Sequence, residues 1–142
     1  MIEYYLAVDG ALLEAPEERA SVWLCVAPDA AEQTRLCKCL GVSAQSLESS
    51  LDPDEVARIE IKPDHLFLIW KRPESFDGRV FNVSSFGVVL SEKRLVVICA
   101  ANSLLAGVDR QAGMSTPLDV LMAMLAESCL LYTSPSPRDL ST

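Results

Sequence analysis

Three short runs of this chain are apolar almost without interruption: Val22–Val26, Leu66–Trp70 and, after its leading arginine, Arg94–Ala100. Runs this short cannot cross a membrane, which takes ~20 apolar residues. They read instead as strands buried on both faces, the pattern of a sheet with layers packed on each side. The longest apolar stretches, Leu95–Ala101 and Val120–Ala126, are also too short to span. At the N-terminus Glu3 and Asp9 interrupt the apolar residues and no basic region precedes them, so no signal peptide is expected.

Around these runs the remaining elements follow from local signals. Glu3–Val8 is rich in β-formers, and Asp9-Gly10 turns it back into Ala11–Glu14 as a hairpin. Asp29 with Glu32 three residues on makes a capping box for a helix over Asp29–Leu40, stopped by Gly41. Ser43 caps a second short helix that runs to about Ser50. Arg58–Lys62 alternates polar and apolar, a half-exposed strand. Leu66–Lys71 and Val80–Leu90 form further strands, joined by a polar loop over Glu74–Arg79 that contains Asp77-Gly78. Gly87 predicts a bulge, and no clean face assignment emerges for 83–88. Ala101–Gly113 is weakly helical, and Pro117 near the first turn opens an amphipathic helix over Thr116–Glu127. The expected fold class is α/β, with α+β the alternative: a single domain with a mixed sheet and helices on its faces.

The end of the chain changes character. Cys129–Asp139 matches one reading frame of a transposase-based sequencing adapter, in which TGT CTC TTA TAC ACA TCT encodes Cys129–Ser134 and CCG AGC CCA CGA GAC encodes Pro135–Asp139. On this reading residues 1–128 form the domain and residues 129–142 are a non-native tail that interrupts the last helix. The tail is expected to make few contacts with the core, and apolar residues of Leu118–Leu125 are expected to lack partners and form an exposed patch.

Composition and motifs narrow the function. The 142 residues carry a formal net charge of −8, which repels phosphate backbones and disfavours nucleic acid as a partner. No phosphate loop, nucleophile elbow, metalloprotease helix or dinucleotide fingerprint occurs. The single histidine, His65, precedes an apolar strand and reads as a strand-edge residue, so no enzyme activity is expected. Five cysteines in an odd count, with a C-x-C pair at Cys37 and Cys39, fit neither a disulfide framework nor a zinc site. The one concentration of polar chemistry is the carboxylate-rich segment Glu48, Asp52, Asp54 and Glu55, with Arg58 as its nearest counter-charge. Its spacing does not fit an EF-hand. It suits a divalent ion that keeps most of its water, as Mg2+ does, and would bind it weakly.

Taken in order, several segments resemble one family. Val22-Trp23-Leu24 then Pro28, a helix ending Leu40-Gly41-Val42, Leu47-Glu48, Asp52-Pro53-Asp54-Glu55, Arg58-Ile59-Glu60 and His65-Leu66-Phe67-Leu68-Ile69 come first. Phe86–Leu90 and Lys93–Ile98 follow around a polar turn, then Thr116–Leu121. From roughly Ser21 to Glu127 this resembles the N-terminal cytoplasmic domain of CorA-type magnesium and divalent-cation channels, with the zinc-transporting branch similar in the same region. The resemblance implies a homopentamer of identical subunits on the cytoplasmic side of the membrane, attached through C-terminal helices that this chain does not contain. It implies a regulatory role through divalent cations, without transport by this domain alone. It also implies a metal-binding acidic pair in a Leu-Glu-Asp segment. Here that segment reads Leu47-Glu48-Ser49, so Glu48 matches and Ser49 stands where the family has aspartate. A stand-alone soluble regulatory or protein-binding domain is the alternative reading.

Overall fold

The computed structural model describes residues 1–76, 81–100 and 115–133. They form one seven-stranded mixed sheet with two helices on one face and one on the other, an α/β domain. The strands are β1 (Ile2–Val8), β2 (Ala11–Glu14), β3 (Val22–Val26), β4 (Arg58–Ile61), β5 (Leu66–Phe76), β6 (Phe81–Leu90) and β7 (Leu95–Cys99). The helices are α1 (Ala30–Leu40), α2 (Ala44–Leu51) and α3 (Pro117–Thr133). Across the sheet the order is β2-β1-β3-β7-β6-β5-β4. β3 and β7 run parallel, Trp23 opposite Val96, and every other neighbouring pair is antiparallel.

The uninterrupted apolar runs are the central strands, buried on both faces as parallel and central strands require. Along β3, Val22 and Leu24 join one core while Trp23 and Cys25 join the other. The first core lies between the sheet and α3 and contains Leu68, Phe86, Val88, Leu95 and Val97 with Val120, Leu121 and Met124. The second lies under α1 and α2 and contains Phe67, Ile69, Val89, Val96 and Ile98 with Leu36 and Leu47. Fully burying one such side chain is worth about 1.5–3 kcal/mol before entropy is counted. Trp23 is held edge-to-face by Tyr4 at 5.2 Å between ring centroids, and the Arg94 guanidinium lies 4.3 Å from its ring.

Local chemistry sets the element ends. Asp9 and Gly10 both take positive φ, 51° and 81°, the mirror-image turn that matches strand twist in a two-residue hairpin. The Asp29–Glu32 capping box forms, with Glu32 N–H donating to Asp29 Oδ1 at 2.8 Å and Asp29 N–H to Glu32 Oε1 at 3.0 Å. Gly41 ends α1 in the left-handed region at φ 69°. Ser43 Oγ accepts from Ser46 N–H at 3.0 Å and starts α2. At α3, Pro117 is the first helical residue and the Asp119 carboxylate accepts from Ser115 and Thr116 N–H, each at 3.0 Å.

Several expectations are corrected. Gly87 is not a bulge: it pairs regularly with Ile69 and with Ile98. A Cβ there would lie 2.0 Å from Ser50 Oγ, so the glycine marks the point where α2 rests on the sheet. The irregularity falls between Pro73 and Ser75, where proline has no N–H to give the ladder. The polar segment from Glu74 does not loop at once, because β5 runs to Phe76 as one arm of a long hairpin with β6. Lys62, Arg94 and Ala100 fall just outside their strands. The last helix continues past Glu127 to Thr133. The expected turn at Asp77-Gly78, the weak helix over Ala101–Gly113 and the tail from Ser134 lie outside the described residues. Among the described residues no helix is long and apolar enough to cross a membrane.

Candidate functional site

The carboxylate segment spans the end of α2 and the connection to β4. α2 is amphipathic, and Leu47 and Ser50 are fully buried against the sheet. Glu48 therefore projects from the opposite side and is exposed. Ser49 is only 9% exposed, so it does not share the outward face of Glu48, and the side-by-side acidic pair implied by the resemblance is not formed at these two positions.

Beyond α2 the chain is fastened tightly. Asp52 Oδ1 accepts from Asp54 N–H at 2.9 Å, and the Asp52 carbonyl accepts from Glu55 N–H at 3.1 Å. The same carbonyl accepts from Ser85 Oγ at 2.8 Å. The Lys71 ammonium donates to the Pro53 carbonyl at 2.7 Å and also to Ser85 Oγ. Thus β5 and β6 grip the backbone of 52–53 from below, leaving the side chains of Asp52 and Asp54 exposed on top. Glu55 Oε1 accepts from Arg58 Nη1 at 2.5 Å, and Arg58 Nε lies 3.7 Å from Glu60 Oε2.

Of the four candidate residues, then, Asp52 and Asp54 share one turn, Glu48 stands on the preceding helix and Glu55 is tied to Arg58. Among the described residues no group of three or more His, Cys, Asp or Glu side chains is gathered closely enough to hold a metal ion. One chain therefore offers scattered carboxylates on a fixed loop. Lys71 and Ser85 are the residues that sequence reasoning missed. Their role depends on strands meeting a distant loop, and the only local trace is a polar residue closing or interrupting each apolar strand.

His65 borders a groove of about 320 Å³ lined also by Asp64, Ser91, Glu92, Lys93 and Arg94. Its Nδ1 lies 2.9 Å from Asp64 Oδ1, an exposed neighbour. Among the described residues the lining brings this histidine Ser91 and the exposed Cys39, neither of them buried. Cys25 is buried on β3, and that burial, reinforced by nearby Cys99, pushes its thiol up to about 12, the reverse of an activated cysteine.

No family model matches the chain. It is 28% identical over 100 residues to the cobalt/magnesium transport protein CorA of Methanocaldococcus jannaschii, a match covering 66% of this chain and 31% of that protein. The complete structure of the CorA magnesium transporter from Methanocaldococcus jannaschii superposes with a TM-score of 0.68 at 20% identity, over 94% of this chain and 45% of the other. The soluble domain of CorA from the same organism gives 0.64 at 21%, over 94% and 57%. The full-length CmaX protein gives 0.68 at 14%, over 90% and 44%. The chain spans about a third of the length of the curated relative and about half of each solved chain. Sequence and structure thus point the same way: the chain has the fold of the CorA soluble domain and a partial sequence likeness to a cobalt/magnesium transport protein.

Proposed function

We propose that this chain is the cytoplasmic regulatory and assembly domain of a CorA-like channel for magnesium or another divalent cation, and that it does not transport by itself. The observation that carries this reading is the agreement of the whole sheet-and-helix arrangement with CorA, 94% of the chain against its soluble domain, together with the sequence match to a cobalt/magnesium transport protein. In the complete protein this domain works as one of five identical subunits on the cytoplasmic side of the membrane, with the membrane helices supplied by sequence outside this chain.

Within that reading, Glu48, Asp52, Asp54 and Glu55 form a rim that attracts Mg2+ weakly and through water. Support comes from the exposure of Glu48, Asp52 and Asp54, the rigid anchoring of their loop by Lys71 and Ser85, and the net charge of −8. Because one chain gathers no closed ligand set, affinity in the isolated domain is on the order of millimolar, as for weak oxygen-ligand sites. A second subunit bringing further carboxylates would tighten the site and so link metal to assembly.

The test is a magnesium titration followed by backbone NMR. Shifts confined to Gln45–Glu60, abolished by Glu48→Gln with Asp52→Asn, are expected. Absence of any shift there up to tens of millimolar would show that the rim is only a solvated loop.

A further inference from the structure

Among the described residues β4 is an edge strand: it pairs with β5 and with no other strand. Its register with β5 places Ile59 opposite Leu68 and Ile61 opposite Leu66, on the face that α3 covers farther in. At the edge no described element provides that cover. Ile59 is 57% and Ile61 80% exposed, beside a groove of about 670 Å³ that continues to Leu66, Leu90 and Leu118. Two exposed isoleucines on an open edge are what natural sheets ordinarily avoid.

The backbone of this edge is also available. Lys62 N–H donates to the His65 carbonyl at 2.9 Å, so this pair is a hydrogen-bonded one of the antiparallel ladder. Because bonding direction alternates along such a ladder, Arg58 and Glu60 also face β5. The N–H and C=O groups of Ile59 and Ile61 face outward. We infer that β4 of this chain pairs antiparallel with β4 of a second copy, centred on Ile59.

The charges select that register. With Ile59 opposite the second copy's Ile59, each exchanges N–H···O=C bonds with the other. Arg58 of each copy then faces Glu60 of the other, giving two opposite-charge cross-strand pairs. Both side chains are partly exposed and lie 3.7 Å apart within one copy, so they can exchange partners across the edge. Centring on Glu60 instead would oppose glutamate to glutamate and Arg58 to Lys62. Centring on Ile61 would set Pro63, which has no N–H, against Ile59. The contact is two-fold and self-complementary, unlike the heterologous contact that closes a five-membered ring. It therefore goes beyond the channel-domain reading and stands or falls separately. An interface this small lies well below the standard ~1,600 Å², so a dissociation constant on the order of 10⁻⁴ M is expected.

Sedimentation equilibrium of the 142-residue chain from about 10 µM to 1 mM tests it, with this range set around the expected constant. Monomer should give way to dimer, and Ile59→Lys, which places two ammonium groups face to face, should weaken dimerisation at least tenfold. Arg58→Glu should weaken it as well, and the exchange Arg58→Glu with Glu60→Arg should restore it. Circular dichroism checks that each variant is folded; the exchange pair tests the register independently of any single loss. A strictly monomeric chain, self-association indifferent to Ile59→Lys, or failure of the exchange to restore pairing would overturn the inference.

Discussion

A β-carbon placed on Gly87 would lie 2.0 Å from the hydroxyl and 2.5 Å from the Cβ of Ser50, so α2 touches β6 at a spot where only hydrogen fits. Ser50 is fully buried there, its hydroxyl donating to the Ser46 carbonyl at 3.0 Å. This contact sets the height of α2 above the sheet and so the position of Glu48 and the loop behind it.

Gly87→Ala should therefore push α2 outward and cost about 1–3 kcal/mol, the range for overpacking a well-filled core. Ser50→Gly removes both clashing atoms, leaving the Ser50 Cα at 3.6 Å as ordinary contact. The double variant should then show positive coupling in urea denaturation: its loss should be smaller than the sum of the two single losses. Additive losses would mean that α2 does not rest on Gly87.

Stability should respond to acid through α3. The Asp119 carboxyl is held below its ordinary 3.8 chiefly by the Ser115 N–H, then by Thr116, at the helix N-terminus. Because the folded value is lowered, the contribution is fully present above the unfolded value and is lost as pH falls through the folded one. Asp119→Asn keeps an acceptor but cannot titrate. Comparing denaturant midpoints at pH 7 and in the acid range below 3.8, the variant should lose less stability than the parent. Equal acid sensitivity would remove Asp119 as a source.

Thiol chemistry should divide by burial. Cys25, raised to about 12 by burial, should resist alkylation at neutral pH until the protein unfolds, whereas Cys39, exposed on α1, should react at once. Iodoacetamide labelling read by mass spectrometry, with and without denaturant, checks this. Rapid labelling of Cys25 in the folded chain would contradict the packing of β3 against β7.

Legibility of the fold followed the range of the forces involved. The caps at Asp29, Gly41 and Ser43 were readable because a cap is settled within one helical turn. The doubly buried strands were readable because they need apolar residues at every position. Which face each residue of 83–88 takes was not readable, since Gly87 answers to a serine on another element. The candidate site divides in the same way. Exposed Glu48 beside buried Leu47, and Glu55 beside Arg58, follow from helix period and short spacing. The grip of Lys71 and Ser85 on the 52–53 carbonyls is tertiary, and so is the burial of Ser49.

The parallel seam between β3 and β7 has a consequence for synthesis. β1, β2 and β3 assemble from neighbouring sequence, and so do β4 to β7; the two groups meet in the sheet only where Val22–Val26 lies along Leu95–Cys99. On a ribosome β3 emerges first and must wait for residues 27–94, on the order of 3–14 s at ~5–20 residues per second. Throughout that interval the most apolar strand of the N-terminal half has one long side without its permanent neighbour. The nascent chain is thus most vulnerable to aggregation before β7 appears, and the strand that ends this vulnerability is among the last parts of the sheet to be made.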